Sequence, residues 1–104
     1  EEVLLHDLHT HEKQRVATTA LFVLIGAAPH TNWLQGQIPL DGKGFVLTGP
    51  AAASPDGMFA TRRPGVFAVG DVRSGSVKRV ASAVGEGSVA IRQVHEFLEA
   101  AGRR

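Results

Sequence analysis

The stretch Thr61-Arg62-Arg63-Pro64-Gly65-Val66-Phe67-Ala68-Val69-Gly70-Asp71-Val72 constrains this chain more than any other. Pro64-Gly65 is a turn pair that feeds an apolar run, residues 66–69, long enough for a buried strand and too short for a helix. The strand ends in Gly70-Asp71. In an open α/β sheet, ligands bind beyond the carboxyl ends of strands. A glycine there admits a ligand close to the backbone, and a carboxylate accepts hydrogen bonds from sugar or polyol hydroxyls. The pair therefore points to a nucleotide cofactor. Taken in isolation, a Gly-Asp pair is better described as a carboxylate that caps a turn.

Beyond the pair, Val72-Arg73-Ser74-Gly75-Ser76 is a polar loop, and a helical pattern follows from about residue 77 to residue 101. Val80, Val84, Gly87, Ile91, Val94, Leu98 and Ala101 recur at three- and four-residue steps. They form one apolar stripe, predicted to pack on the sheet, while Arg79, Glu86, Arg92 and Glu96 lie elsewhere. Gly85 and Gly87 each cost about 1 kcal/mol against alanine inside a helix. Their presence predicts close contact with a strand or a ligand, or else a kink.

With turn, strand and helix in this order, T-x-x-P-G-V-F-A-x-G-D-V resembles the second flavin-binding motif of the pyridine nucleotide-disulphide oxidoreductases, in the thioredoxin reductase branch. The resemblance implies the C-terminal portion of a Rossmann-like, three-layer FAD/NAD(P)-binding α/β fold, with β-hairpins and one long C-terminal helix. It implies that Asp71, at the Gly70-Asp71 pair, hydrogen-bonds a ribityl hydroxyl of FAD. The branch's Arg-Gln-Ala motif falls on Lys78, Arg79 and Val80, so this chain departs from the pattern in all three side chains, with the cation moved or doubled and the glutamine missing. Main-chain contact to the flavin carries over to Arg79 and Val80, and Lys78 is the candidate for a side-chain contact. As a solvated basic turn, Lys78 and Arg79 need no ligand at all. A helix N-terminus, with its free N–H groups and about half a positive charge, would favour negative charge on the pyrimidine edge of a reduced flavin.

Upstream, residues 3–9 and 15–19 read as the two strands of a surface hairpin turned at His11-Glu12-Lys13-Gln14. Strand alternation would keep His6 away from His9 and His11, and no metal site is expected. The continuous apolar run at residues 21–25 reads as a strand covered on both faces in a parallel sheet. With Gly26, Pro29 and Thr31 it resembles the family's crossover segment. The implied organisation is residues 1–28 as the end of the NAD(P)H-binding domain and 29–104 as the C-terminal half of the FAD-binding domain. Residues 37–47 are predicted to form a hairpin around Asp41-Gly42-Lys43-Gly44. Residues 48–58 read as a flexible link, with Ala51-Ala52-Ala53 too short for a helix.

A length of 104 residues allows one domain with a modest core. The net charge of +1 gives no footprint for nucleic acid or an anionic membrane. No apolar run approaches the ~18 residues of a membrane span, and a cytoplasmic protein is expected. With no cysteine, the chain carries no disulphide framework and no dithiol chemistry of its own. It also lacks the family's G-x-G-x-x-G turns. Resemblance and absences together imply the C-terminal fragment of an FAD- and NAD(P)H-dependent thioredoxin reductase-like enzyme, inactive alone and without catalytic side chains of its own. Its partners would be the missing N-terminal half, a second copy in a homodimer, and a thioredoxin-like or ferredoxin-like redox protein. The alternatives are a ferredoxin-NADP reductase-type fragment and a non-catalytic assembly or regulatory module.

Overall fold

The computed structural model describes residues 1–103. Strands β1 (Glu2–His6) and β2 (Lys13–Ala17) pair antiparallel, with Val3 opposite Val16 and His6 opposite Lys13. β1 stops at His6 rather than residue 9, because Asp7 turns the chain on itself. Its Oδ1 accepts the N–H groups of His9 (2.7 Å) and Thr10 (3.0 Å), the local bonding by which aspartate competes with a strand ladder. His11 then takes a left-handed conformation, φ 61°. The loop's return brings the His6 and His11 rings to 6.2 Å, contrary to the separation expected from strand alternation.

The radius of gyration is 20.2 Å, against about 13 Å for a compact chain of this length. The excess comes from the N-terminal part, since neither β1 nor β2 packs on any helix. The run at residues 21–25 is not a buried strand. Phe22, Leu24 and Ile25 are 81%, 92% and 90% exposed. A strand needs an edge to pair with, and no segment among the described residues offers one to it.

The body of the molecule is held by turns and single bridges. Its core is Ile38, Val46, Ala52, Phe59, Ala60 and Ala90, with Thr31, Thr48 and Thr61 also buried. The turn expected near residue 41 is present, closed by Asp41 Oδ1, which accepts the N–H groups of Lys43 (2.8 Å) and Phe45 (3.0 Å). Its flanks pair only through a bridge between Leu40 and Val46. Residues 66–69 likewise pair only through Phe67 and Ala60. Their open side faces an apolar trough of about 600 Å³ that Trp33, Leu34, Ile38 and Val46 also line.

Residues 48–58 are packed structure rather than a loose link. A 3-10 helix, Gly49–Ala52, buries Gly49 and Ala52. Gly49 has φ +56°, and a Cβ there would stand 2.9 Å from the Met58 carbonyl oxygen, so the position admits only glycine without rearrangement.

Helix α1 (Val80–Gly102) packs on this body by a face one residue out of step with the predicted stripe. Ala83 lies against Gly70, and Ala90 is buried. Gln93 Oε1 accepts the Phe59 N–H (3.0 Å), and Phe97 meets Phe67 edge-on at 6.1 Å. The stripe residues Val80, Val84, Ile91 and Leu98 are 83%, 68%, 62% and 58% exposed. One residue is about 100° around a helix, so the large apolar side chains mark a second face. The packed face favours small residues where backbone approaches closely, and acceptors where a turn's N–H needs one. Gly85 and Gly87 have no packing neighbour within 4 Å of a notional Cβ, so the close contact predicted for them is not made among the described residues.

Candidate functional site

Val69 is extended, and the chain then reverses through Gly70 (φ +75°) into a 3-10 turn, Gly70–Val72. Gly70 is buried beneath α1, where a Cβ would stand 3.4 Å from that of Ala83. The turn is pinned from the body side by two hydrogen bonds of 2.8 Å, Val46 N–H to the Val72 carbonyl and Ser74 N–H to the Val46 carbonyl. Ser74 Oγ also donates to Asp41 Oδ2 (2.7 Å). Held in this way, the turn presents Asp71 outward with an exposed side chain.

Both members of the basic pair make contacts within the chain. Lys78 Nζ donates to the Asp71 carbonyl (2.8 Å) and to Ser76 Oγ (3.0 Å), and it sits 4.1 Å from the centre of the Phe45 ring. Its ammonium is thus tied to the back of the turn. Arg79 N–H donates to the Val77 carbonyl (2.8 Å), while the Arg79 carbonyl accepts from Ala83 (3.0 Å). Arg79 is the N-cap of α1 and supplies no side-chain cap, and the first turn contains no acid. The N–H groups of that turn, beginning with Val80, are therefore uncapped, and the two cations beside them oppose the helix dipole rather than complement it.

Gly70, Asp71, Lys78, Arg79 and Val80 all line one groove of about 480 Å³, together with Val69, Ala83 and Val84. An exposed carboxylate stands at one side of the groove and an uncapped, cation-flanked helix start at the other. Chemically this suits a ligand with hydroxyl donors at one end and an electron-rich edge at the other. Among the described residues no group of three or more His, Asp or Glu could hold a metal ion, and no helix is long and apolar enough to cross a membrane.

Sequence reasoning missed what stands behind the groove. Glu86 Oε2 accepts the Gly70 N–H (2.7 Å) and Arg73 Nε (3.1 Å), and Oε1 accepts Arg73 Nη2 (2.6 Å). Both side chains are largely buried, and the guanidinium also covers the Phe59 ring at 5.3 Å. The available signal was position. Glu86 shares a helix face with Ala83, Ala90, Gln93 and Phe97, but large hydrophobic residues one step along drew the pattern away.

Hydrogen bonding from Arg73, and next from the Gly70 N–H, holds the Glu86 carboxyl below its usual range against the opposing effect of burial. The Ser74 hydroxyl leads the groups that do the same for Asp41. A carboxyl whose folded pKa is depressed stabilises the fold fully above its ordinary value, about 4, and loses that contribution as pH falls through the lower folded value. Stability should therefore hold from neutral pH down to about 4 and then decline. Unfolding midpoints measured across that range check this, and in Glu86→Gln the acid decline should be shallower.

Residues 1–87 match the family model described as Pyridine nucleotide-disulphide oxidoreductase. The chain is 39% identical over 92 residues to an alkyl hydroperoxide reductase component of Pseudomonas putida, covering 88% of this chain and 16% of that protein. It is 33% identical over 96 residues to a thioredoxin reductase of Rickettsia felis, covering 92% of this chain and 29% of that protein. Among solved structures, thioredoxin reductase from Streptococcus pyogenes superposes with a TM-score of 0.71 at 28% identity, over 95% of this chain and 30% of that one. The Lactococcus lactis thioredoxin reductase does so with a TM-score of 0.67 at 27% identity, over 92% and 29%. The chain spans less than a third of the length of each of these relatives.

Proposed function

The chain belongs to the pyridine nucleotide-disulphide oxidoreductase family, in its thioredoxin reductase-like branch, and from that premise we propose that it forms one wall of the flavin site of an NAD(P)H-dependent oxidoreductase. Its fold is the Rossmann-like α/β fold of the thioredoxin reductases, to which it contributes a hairpin and a long helix. One observation carries the proposal. Asp71 and the start of α1, brought together by a turn tied at both ends, line the same groove.

The residues fit a flavin. Gly70, without a side chain, lets α1 close on the turn, and the exposed Asp71 carboxylate would accept from a ribityl hydroxyl. The uncapped N–H of Val80 would be available to the electron-rich edge of the ring. The Arg79 N–H already has the Val77 carbonyl, so Arg79 contributes chiefly its charge, and Lys78 stiffens the turn. FAD, when bound, supplies the chemistry that moves reducing equivalents from a nicotinamide towards a disulphide. This chain binds it, orients it, and biases the ring towards negative charge through the helix dipole.

In the organisation that goes with this reading, residues 1–28 close the nicotinamide-binding domain, and residues 29–104 make up the C-terminal half of the flavin domain. The pyrophosphate turns and the redox cysteines belong to a further, N-terminal part of the same protein. Support comes from the apolar groups left uncovered, the run at residues 21–25, the trough beside residues 66–69 and the outer face of α1. The match to a minor share of each relative supports it too. A thioredoxin-like disulphide partner is in keeping with the relatives' names, and a homodimer is the assembly proposed with it. Absorption spectroscopy of the full-length protein tests the assignment. A flavin visible band that survives gel filtration is expected, and a folded, colourless protein that takes up no added FAD would overturn it.

A further inference from the structure

Glu86 does not line the groove, yet it holds the chain on both sides of Asp71, which does. Its carboxylate accepts the main-chain N–H of Gly70 on one side of Asp71, and both Nε and Nη2 of Arg73 on the other. Arg73 in turn donates its main-chain N–H to the Gly70 carbonyl (3.0 Å) and Nη1 to the Ser74 carbonyl (3.3 Å). The carboxylate thus straddles the three-residue turn from behind, anchored on a helix whose own start forms the opposite side of the groove.

We infer that Glu86 is a positioning residue which, by gripping Gly70 and Arg73 together, fixes the direction of the Asp71 carboxylate and its register against the N-terminus of α1. The inference rests on the flavin assignment and adds to it a residue that never touches the ligand. All three of Glu86's partners are donors, and only an ionised carboxylate offers acceptors to every one of them. Glutamine has one acceptor oxygen, and its amide would point N–H groups at a guanidinium or at the Gly70 N–H. Aspartate is one methylene too short to span the same distance from the helix.

This chemistry separates a positioning role from an ordinary ion pair. In Glu86→Leu the Gly70 N–H loses its acceptor, whereas a glutamine oxygen in the place of Oε2 could still accept both that N–H and Arg73 Nε. In the double variant Arg73→Met with Glu86→Gln the guanidinium is gone, and the amide oxygen is free to accept from Gly70. A residue that acted only as half of an ion pair would gain nothing from that oxygen.

Two measurements on the same variants decide the matter. In the full-length protein without FAD, hydrogen exchange at the Gly70 amide should accelerate roughly tenfold in Glu86→Leu, while the Ala90 amide keeps its protection. In Arg73→Met with Glu86→Gln it should return to within about threefold of the wild type. In the assembled flavoprotein, FAD affinity should fall roughly tenfold in Glu86→Leu and recover in the double variant. Unchanged Gly70 exchange, or an FAD affinity that stays lost in the double variant, overturns the inference. If the wild-type flavoprotein takes up no FAD while the exchange pattern holds, the flavin assignment fails instead, and with it the role of the clamp in ligand binding.

Discussion

Arg73→Ala should lower the unfolding free energy by about 3 kcal/mol, the lower end of the range for breaking a buried ion pair by removing one partner. The loss comes less from the missing attraction than from the carboxylate left behind. Glu86 would keep only the Gly70 N–H, in a site where its side chain is 14% exposed. The packing of the guanidinium over Phe59 goes as well. Against a total stability of about 5–15 kcal/mol for a domain, such a change is large. Urea denaturation reads it as a lower midpoint at unchanged slope. Replacing both members, Arg73→Met with Glu86→Gln, should recover most of the loss, since the charge that needed a partner is then absent. By contrast, Arg92→Ala should move the midpoint very little, because its i,i+4 pair with Glu96 has side chains 82% and 59% exposed.

Asp71→Ala should weaken FAD binding roughly 10- to 100-fold, the worth of a hydrogen bond to a charged acceptor. Stability should stay within about 0.5 kcal/mol of the parent, because the side chain is exposed and the turn is held by main-chain bonds, by Lys78 and by Glu86. Asp71→Asn should fall between the two, since an amide oxygen still accepts but carries no charge. Titration of flavin fluorescence gives the affinities, and urea midpoints give the control. Weakened binding with unchanged stability places Asp71 on the ligand. Parallel loss of both would make it a structural turn residue.

The parts of this fold that were legible in the sequence are those in which one residue type dictates one local geometry. Pro64-Gly65, the reversal at Gly70 and the Asp41 turn all follow from what glycine, proline and aspartate do to a backbone. The juxtaposition of Asp71 with residues 78–80 follows from a short turn and loop leading into a helix. Where the sequence misled, hydrophobicity had been taken as a report on this chain's own contacts. Val84, Ile91 and Leu98 form a periodic stripe and residues 21–25 an unbroken apolar run, yet both are exposed among the described residues. Periodicity shows that a face is apolar and says nothing about which surface covers it. The side that packs here uses Ala83, Glu86, Ala90 and Gln93, and no hydropathy pattern marks such a mixture. The clamp was illegible for the same reason. A glutamate inside a helix is ordinary until the fold sets an arginine and a glycine N–H within reach of it.

The turn and the helix start together would address one flavin. A crystal structure of the FAD-bound protein tests it most directly, through the separation between the Asp71 carboxylate and the nearest ribityl hydroxyl. The expected separation is about 2.5–3.0 Å, with the Val80 end of α1 against the pyrimidine edge of the ring. A flavin bound elsewhere, or one with Asp71 facing away from its polyol chain, would contradict it.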